Sequence, residues 1–350
     1  MPAEPQLANT MAKTVGTSNS SVLRPSTWLS NLLLSTKPQS LRRWHYLFKL
    51  REWVLRYRDP TIEYKFCGAT LRLPLSHALP FFRRASPLYA ENLGRIARQL
   101  YTRFGFFSVI DIGANIGDSV ATIHQYTPLP ILCVGGVPRF AELLGHNVSA
   151  LRPTPAIERC FVGTGGKDLA AVVQDGTAKL AHAEPDSHAI PMKSLQEILL
   201  EHSSFQGARL LKIDTDGMDI VILASALDWI AQQKPVLFFE YDPDLQQEHG
   251  AGGLEILGRL KKAGYQRVLV YEGNGDYMLS AELEDYTLFL EMHEYFSGRL
   301  GSGKWCDLCI FHADDEEIAQ VIRRSELDVF RAARRYSPAR DPAAPCKGGC

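Results

Sequence analysis

Two apolar runs in this chain end in carboxylates. Arg209–Asp214 (RLLKID) closes on Asp214-Thr215-Asp216-Gly217, and Pro235–Tyr241 (PVLFFEY) carries Glu240 and runs into Asp242-Pro243. A carboxylate at a strand tip can take the proton of a bound hydroxyl or anchor that hydroxyl. A group of them can hold a hard divalent cation. The purely structural reading is a helix N-terminus at Gly217 capped by Asp216 or Asp219. Asp214, Glu240 and Asp216 are the catalytic candidates, and no metal ligand set is assigned. His249 and His293 are weaker candidates for a base, since a lone histidine is more often structural. Lys212 reads as a snorkelling side chain. Cys306 and Cys309 stand three apart on a strand and so point to opposite faces, which argues against a shared zinc ion.

A third stretch has the spacing of a ligand-binding turn. Ser108-Val109-Ile110-Asp111-Ile112-Gly113-Ala114-Asn115-Ile116-Gly117-Asp118 reads as a buried strand, a tight turn of small residues and the start of a helix. Gly113 and Gly117 let the backbone turn sharply and approach a ligand. Asn115 is the non-glycine residue that best tolerates a left-handed conformation. The order Asp-x-Gly-x-Asn-x-Gly is not the Gly-x-Gly-x-x-Gly of a dinucleotide site, which sets pyrophosphate on a helix N-terminus. An acid before the first glycine repels phosphate and suits a cationic or hydroxyl-bearing ligand.

These tips need a scaffold that brings them together, and the pattern supplies one. Short buried runs at Val109–Ile112, Ile131–Val134, Ile157–Val162, Arg209–Asp214, Pro235–Tyr241, Arg267–Tyr271 and Trp305–His312 alternate with helical segments. Strands alternating with helices predict a mainly parallel sheet covered on both faces, with ligands at the carboxyl ends of its strands. Asp111–Gly117, Gly135–Val137, Asp214–Gly217 and Glu240–Asp242 then share one rim. Residues 107–330 form the predicted core domain. Residues 39–106 form a helical and hairpin extension, with a β-hairpin turning at Cys67-Gly68. Residues 1–38 and 335–350, rich in small, polar and proline residues, are expected to be disordered, with a short helix starting near Leu29–Leu34.

The 350 residues are 45% hydrophobic with a net charge of -1, enough for a full core and without the basic excess of a nucleic-acid binder. No apolar run reaches the roughly 18–20 residues that span a bilayer. Seven scattered cysteines fit reduced thiols, and the expected location is the cytoplasm. Residues 41–58 (LRRWHYLFKLREWVLRYR) predict an amphipathic helix, with Leu41, Trp44, Phe48 and Leu55 at helical spacing. A helix packed on the domain with a solvated basic face is the favoured reading; peripheral membrane contact is the alternative.

With these ends in view the chain resembles the FkbM family of S-adenosyl-L-methionine-dependent O-methyltransferases. The matching pieces are Val109 to Asp118, Pro138-Arg139-Phe140 through Leu144 and Asn147, Leu211 to Gly217, Phe239 to Pro243, Gly264-Tyr265 and Phe311 to Asp315. The resemblance implies a Rossmann-like class I methyltransferase fold: a seven-stranded, mostly parallel sheet with helices on both faces and the last strand antiparallel. It implies S-adenosyl-L-methionine across the first and second strand ends, on Asp111, Gly113, Ala114, Asn115, Gly117, Asp118, Gly135 and Gly136, with Asp111 or a bridging water at its ammonium. The implied acceptor is a hydroxyl of a sugar, a glycan or a secondary metabolite. One position departs. The family ends the second strand in an acid that grips the ribose hydroxyls, and here that position is Gly135, 22 residues after Gly113. Losing a charge-assisted hydrogen bond costs about 1.5–3 kcal/mol. A weak cofactor binder and a non-catalytic binding module therefore both stay open. Substrate selection is expected from residues 41–90 and from the aromatic-rich stretch Asn274–Lys304.

Overall fold

The computed structural model describes residues 25–37, 40–163, 169–174, 177–182, 190–248, 252–298 and 305–336. An N-terminal extension comes first: helices α1 (Pro25–Ser35) and α2 (Leu41–Tyr57), the hairpin β1 (Thr61–Phe66) and β2 (Ala69–Pro74), and helices α3 (Leu79–Ala85) and α4 (Glu91–Phe104). The hairpin turns where predicted, with Cys67 and Gly68 both at positive φ (46° and 73°), as a two-residue primed turn requires.

The central domain alternates β3 (Val109–Ile112), α5 (Asp118–Tyr126), β4 (Ile131–Val134), α6 (Pro138–Val148) and β5 (Ala156–Glu158). A side branch follows: β6 (Phe161–Val162), the hairpin β7 (Leu169–Gln174) and β8 (Thr177–His182), β9 (Met192–Lys193) and α7 (Leu195–Glu201). The main sheet resumes with β10 (Leu210–Ile213), α8 (Asp219–Ser225), α9 (Leu227–Gln233), β11 (Val236–Tyr241), α10 (Pro243–Glu248), α11 (Gly253–Lys262) and β12 (Tyr265–Glu272). Last come β13 (Tyr277–Glu282), α12 (Tyr286–Phe296), β14 (Cys306–His312) and α13 (Glu316–Tyr336).

The sheet runs β13-β12-β14-β11-β10-β3-β4-β5. Strands β5, β4, β3, β10 and β11 are mutually parallel, while β14 lies antiparallel between β11 and β12. Counted without β13, this is the seven-strand arrangement expected, its last strand inserted antiparallel. The eighth strand, β13, pairs antiparallel with β12 at the edge. Tyr277 and Ala281 are buried and Met278 and Glu282 exposed, with Leu279 and Ser280 half-buried between them, a pattern masked in the sequence by the aromatic density around it.

Each strand feeds both faces. Ile110, Ile112, Leu211, Ile213, Leu237 and Phe239 pack under α7, α8 and α11; Val109, Leu210, Val236, Phe238, Cys309 and Phe311 pack under α4, α5 and α13. Cys306 and Cys309 fall in opposite layers, as their spacing predicts. A third cluster seats the hairpin on the domain through Ile62, Leu71, Leu73, Ile116 and Phe140. Asn147 ties the two together: its carboxamide accepts from Arg72 N (2.7 Å) and donates to Arg72 O (2.9 Å) and Ile116 O (2.8 Å).

Several boundaries move. Within 1–38, residues 25–35 are a helix with Leu29 and Leu33 buried, because one apolar face suffices to dock it beside β1; residues 1–24 lie outside the described residues. The run Ile157–Val162 breaks into β5 and β6, and β6 leaves the sheet to pair with β9. Helix α13 runs to Tyr336, two residues into the segment expected to be disordered, and is held by the two-pronged pair of Arg95 with buried Glu326 (2.8 and 2.6 Å). Residues 337–350 lie outside the described residues. Among the described residues no helix is long and apolar enough to cross a membrane.

Candidate active site

The turn after β3 is built for close approach. Gly113 has φ +80°, and a Cβ there would lie 1.8 Å from the Asp214 carbonyl oxygen, so only glycine lets β3 and β10 end side by side. Asn115 adopts φ +44°, in the left-handed region expected of it. Gly117 adopts φ +88° and caps α5. The Gly113 and Ala114 amides donate to Val134 O, which locks the turn to the neighbouring strand tip.

Two cavities open at this rim and meet at Gly113, Asn115, Asp214 and Asp216. The first is a narrow, mainly apolar slot of about 90 Å³ between Val134–Val137, Phe140, Phe161, Met218 and Ile222. The second is a chamber of about 480 Å³. Its floor carries Lys212, Glu240 and Asp307; its walls include Asp118, Asp242 and Asp244 and the aromatics Phe82, Tyr89 and Trp305. Phe82 stacks on Tyr89 (5.2 Å) and meets Trp305 edge-on (6.2 Å).

The sheet register explains the floor. Asp111 pairs with Lys212 across β3 and β10, Lys212 with Phe238 across β10 and β11, and Glu240 with Asp307 across β11 and β14. All these side chains emerge on one face, at the end where the parallel strands finish and antiparallel β14 begins. Lys212 Nζ lies 3.0 Å from Asp111 Oδ1, 3.3 Å from Asp214 Oδ2 and 3.2 Å from Gly113 O.

Crowding sets the protonation of the acids. Enclosure by protein, and then the neighbouring Asp214, Asp219, Asp216 and Asp307, push the Glu240 carboxyl well above the usual carboxylate range. Asp307 is pushed well up by enclosure and by Asp214, only partly offset by Lys212. Enclosure also raises Asp118 to about 6, against the pull of Lys212. Burial would lower Lys212, but Asp111, Asp214 and Asp118 outweigh it and hold the ammonium charged. His77, at the chamber mouth, is kept neutral by burial, its imidazole pushed down to about 4.

The catalytic candidates Asp214, Asp216 and Glu240 all line the chamber, and Asp214 and Asp216 also border the slot. Neither Asp216 nor Asp219 caps the helix: Asp219 is the first residue of α8, whose N-cap position is Met218, and its carboxylate instead ties the preceding turn by accepting from Thr215 N (3.3 Å) and Gly217 N (3.2 Å). Of the expected cofactor residues, Gly113 and Asn115 face both cavities, Gly135 and Gly136 the slot, and Asp118 the chamber.

Asp111 does not reach either cavity. It is fully buried, accepts from Ser119 Oγ and pairs with Lys212, so it cannot meet a ligand ammonium directly. Ala114 is fully buried and Gly117 packs against Leu144 and Val148; both shape the turn rather than line a cavity. Lys212 is no snorkelling side chain: it points inward and is buried. His293 is engaged by Tyr241 Oη (2.9 Å) rather than by the chamber, and His249 lies outside the described residues. In the stretch 274–304, Tyr277, Phe289 and Phe296 are core while Tyr286 and Tyr295 are exposed, and none of these aromatics but Trp305, just beyond, lines the chamber. Among the described residues no group of three or more His, Cys, Asp or Glu is placed to hold a metal ion.

Asp307 and Lys212 were missed as site residues. The antiparallel placement of the last strand was the available signal for Asp307, because it brings the start of that strand beside the tips of the others.

A doubly wound sheet in the order β5-β4-β3-β10-β11-β14-β12, with a slot beside the first strand's glycine turn, defines a Rossmann-like class I methyltransferase fold. Residues 111–267 match the family model described as the methyltransferase FkbM domain. No curated protein matches the chain. Among solved structures, the chain is similar to the methyltransferase FkbM from Methylobacillus flagellatus (16% identity, 61% of this chain and 47% of that one, TM-score 0.35). It is also similar to P. horikoshii TYW2 in complex with MeSAdo (11% identity, 79% of this chain and 86% of that one, TM-score 0.37). A third is the O-methyltransferase from Bacillus cereus in complex with SAH (8% identity, 62% of this chain and 80% of that one, TM-score 0.33). The chain thus spans about half the length of the M. flagellatus structure.

Proposed function

We propose that the protein is an S-adenosyl-L-methionine-dependent O-methyltransferase whose acceptor is a hydroxyl of a sugar, a glycan or a hydroxylated secondary metabolite. The observation that carries this reading is the junction of slot and chamber at Gly113, Asn115, Asp214 and Asp216. A donor held in one cavity and an acceptor in the other would meet at carboxylates.

The residues present fit the cofactor in two respects and depart in one. Gly113 and Asn115 of the turn border both cavities, and the slot between Val137, Phe140 and Phe161 is apolar enough for a flat ring. At Gly135 no acid awaits the ribose hydroxyls, which supports weak binding. When bound, the cofactor supplies an electrophilic methyl carbon on a sulfonium.

The chain's own residues do the rest. Asp214, bordering both cavities, is assigned as the acceptor of the hydroxyl proton. Glu240 and Asp307, whose carboxyls enclosure and the neighbouring acids push toward the protonated form, are placed to donate hydrogen bonds to oxygens of the acceptor. Phe82, Tyr89 and Trp305 offer flat apolar faces to a sugar or ring. Holding the acceptor in line supplies much of the rate.

Calorimetric titration tests the reading. Binding of S-adenosyl-L-methionine, with label transfer to a hydroxylated acceptor in a mass-shift screen, supports it. NAD binding in its place overturns it in favour of a dehydrogenase. No nucleotide binding at all favours the binding module that Gly135 would suit. Asp214→Asn is expected to lower turnover by roughly 10²–10⁴-fold.

A further inference from the structure

Helix α2 buries one face and leaves an apolar stripe on the other. Inward, Val54 and Leu55 pack on the hairpin cluster, and Arg51 donates to Leu75 O (3.1 Å) and Ser76 O (2.8 Å). Outward, Tyr46, Leu50, Trp53 and Tyr57 are 72%, 43%, 56% and 75% exposed. Their spacing of four, three and four residues places them within about 60° of arc at 3.6 residues per turn. Trp53 and Tyr57 touch edge-on (5.2 Å). A solvated basic face is therefore only part of what α2 presents.

The charges beside this stripe are nearly all of one sign. Arg42, Lys49 and Arg56 follow one edge at a seven-residue interval, and Arg43 stands at the other; all four are exposed. Glu52 is the single acid of the helix, in a chain whose net charge is -1. A second copy docking through this stripe would bring basic edges together. An acidic planar surface with an apolar interior matches both features: aromatic rings sit at the headgroup level, and basic side chains meet anionic headgroups.

We propose that α2 is a peripheral membrane-binding helix that lays Tyr46, Leu50, Trp53 and Tyr57 into the surface of an anionic lipid bilayer. Arg42, Arg43, Lys49 and Arg56 contact the headgroups. This rests on the exposed face of α2 and is independent of the reaction assigned to the chamber.

Flotation of the full chain with vesicles tests it. Vesicles of phosphatidylcholine with about one-third phosphatidylserine should carry the protein, and phosphatidylcholine alone should carry little. Raising salt should release it. The double variant Leu50→Ser/Trp53→Ser should bind at least about tenfold more weakly. Lys49→Gln should weaken binding about fivefold for the one charge removed. Both variants should unfold at the wild-type temperature, since the altered residues are exposed. Absence of binding to either vesicle overturns the proposal. So do equal binding by the double variant and a wild-type dimer that the double variant dissociates. Binding indifferent to phosphatidylserine and salt overturns the headgroup assignment.

Discussion

Lys212 Nζ stands 3.0 Å from Asp111 Oδ1, and the two residues are direct partners in the β3–β10 register. Both are buried, so each charge is matched mainly by the other and by Ser119, Gly113 O and Asp214. Breaking a buried pair on one side costs about 3–5 kcal/mol, because the remaining charge is stranded. Lys212→Met is expected to lose stability of that order in urea unfolding. A loss near zero would mean that the pair contributes nothing to stability.

The two glycines at the slot should respond oppositely to alanine. At Gly113 the backbone is left-handed and the Cβ would collide with Asp214 O at 1.8 Å. Gly113→Ala must displace the β10 tip, costing about 1–3 kcal/mol in backbone strain alone. At Gly135 nothing lies within 4 Å of the added Cβ. Gly135→Ala should leave the thermal midpoint within about 1–2 °C of wild type. Differential scanning fluorimetry of the two variants side by side reads the contrast.

The parts of this arrangement legible in the sequence were those governed by local pattern. Val109–Ile112 and Leu210–Ile213 are short apolar runs, and the Gly113–Gly117 turn declares its backbone through residue type alone. Pairing across the sheet was less legible. Lys212 looked like an isolated lysine in an apolar run, and only its register against Asp111 explains its burial. Asp307 followed Cys306 in a stretch read for its thiols; its value depends on β14 entering the sheet antiparallel beside Glu240. The hairpin partner β13 hid for a similar reason. A six-residue edge strand alternates over too few residues to stand out among aromatics that serve the core.

Restoring an acid at the second strand tip should strengthen cofactor binding. At Gly135 nothing lies within 4 Å of an added Cβ and the backbone is not left-handed, so a side chain can start there without strain. A carboxylate accepting from ribose hydroxyls contributes about 1.5–3 kcal/mol, or roughly ten- to a hundredfold in affinity. Gly135→Glu is expected to lower the Kd for S-adenosyl-L-methionine by that factor in calorimetric titration. Unchanged affinity would show that the ribose is held elsewhere and that Gly135 is no defect.

The acid cluster should leave a signature in stability against pH. Glu240 and Asp307 are raised well above the ordinary carboxylate range, while in the unfolded chain both ionise near pH 4. Between those values the folded protein binds more protons than the unfolded one, so their contribution to stability falls as pH rises above about 4. Glu158 and Glu316, lowered by their Lys193, His202 and Arg267 partners against some burial, work in the opposite sense, with stability lost on acidification. They are common to wild type and variant, and a difference measurement cancels them. Asp307→Asn removes one titrating group and one source of repulsion on Glu240. Its thermal midpoint should exceed that of wild type by roughly 2–4 °C for each kcal/mol relieved. The gain should be larger at pH 8 than at pH 5. Equal gains at both pH values would assign the effect to packing of the amide and not to a carboxyl forced to keep its proton.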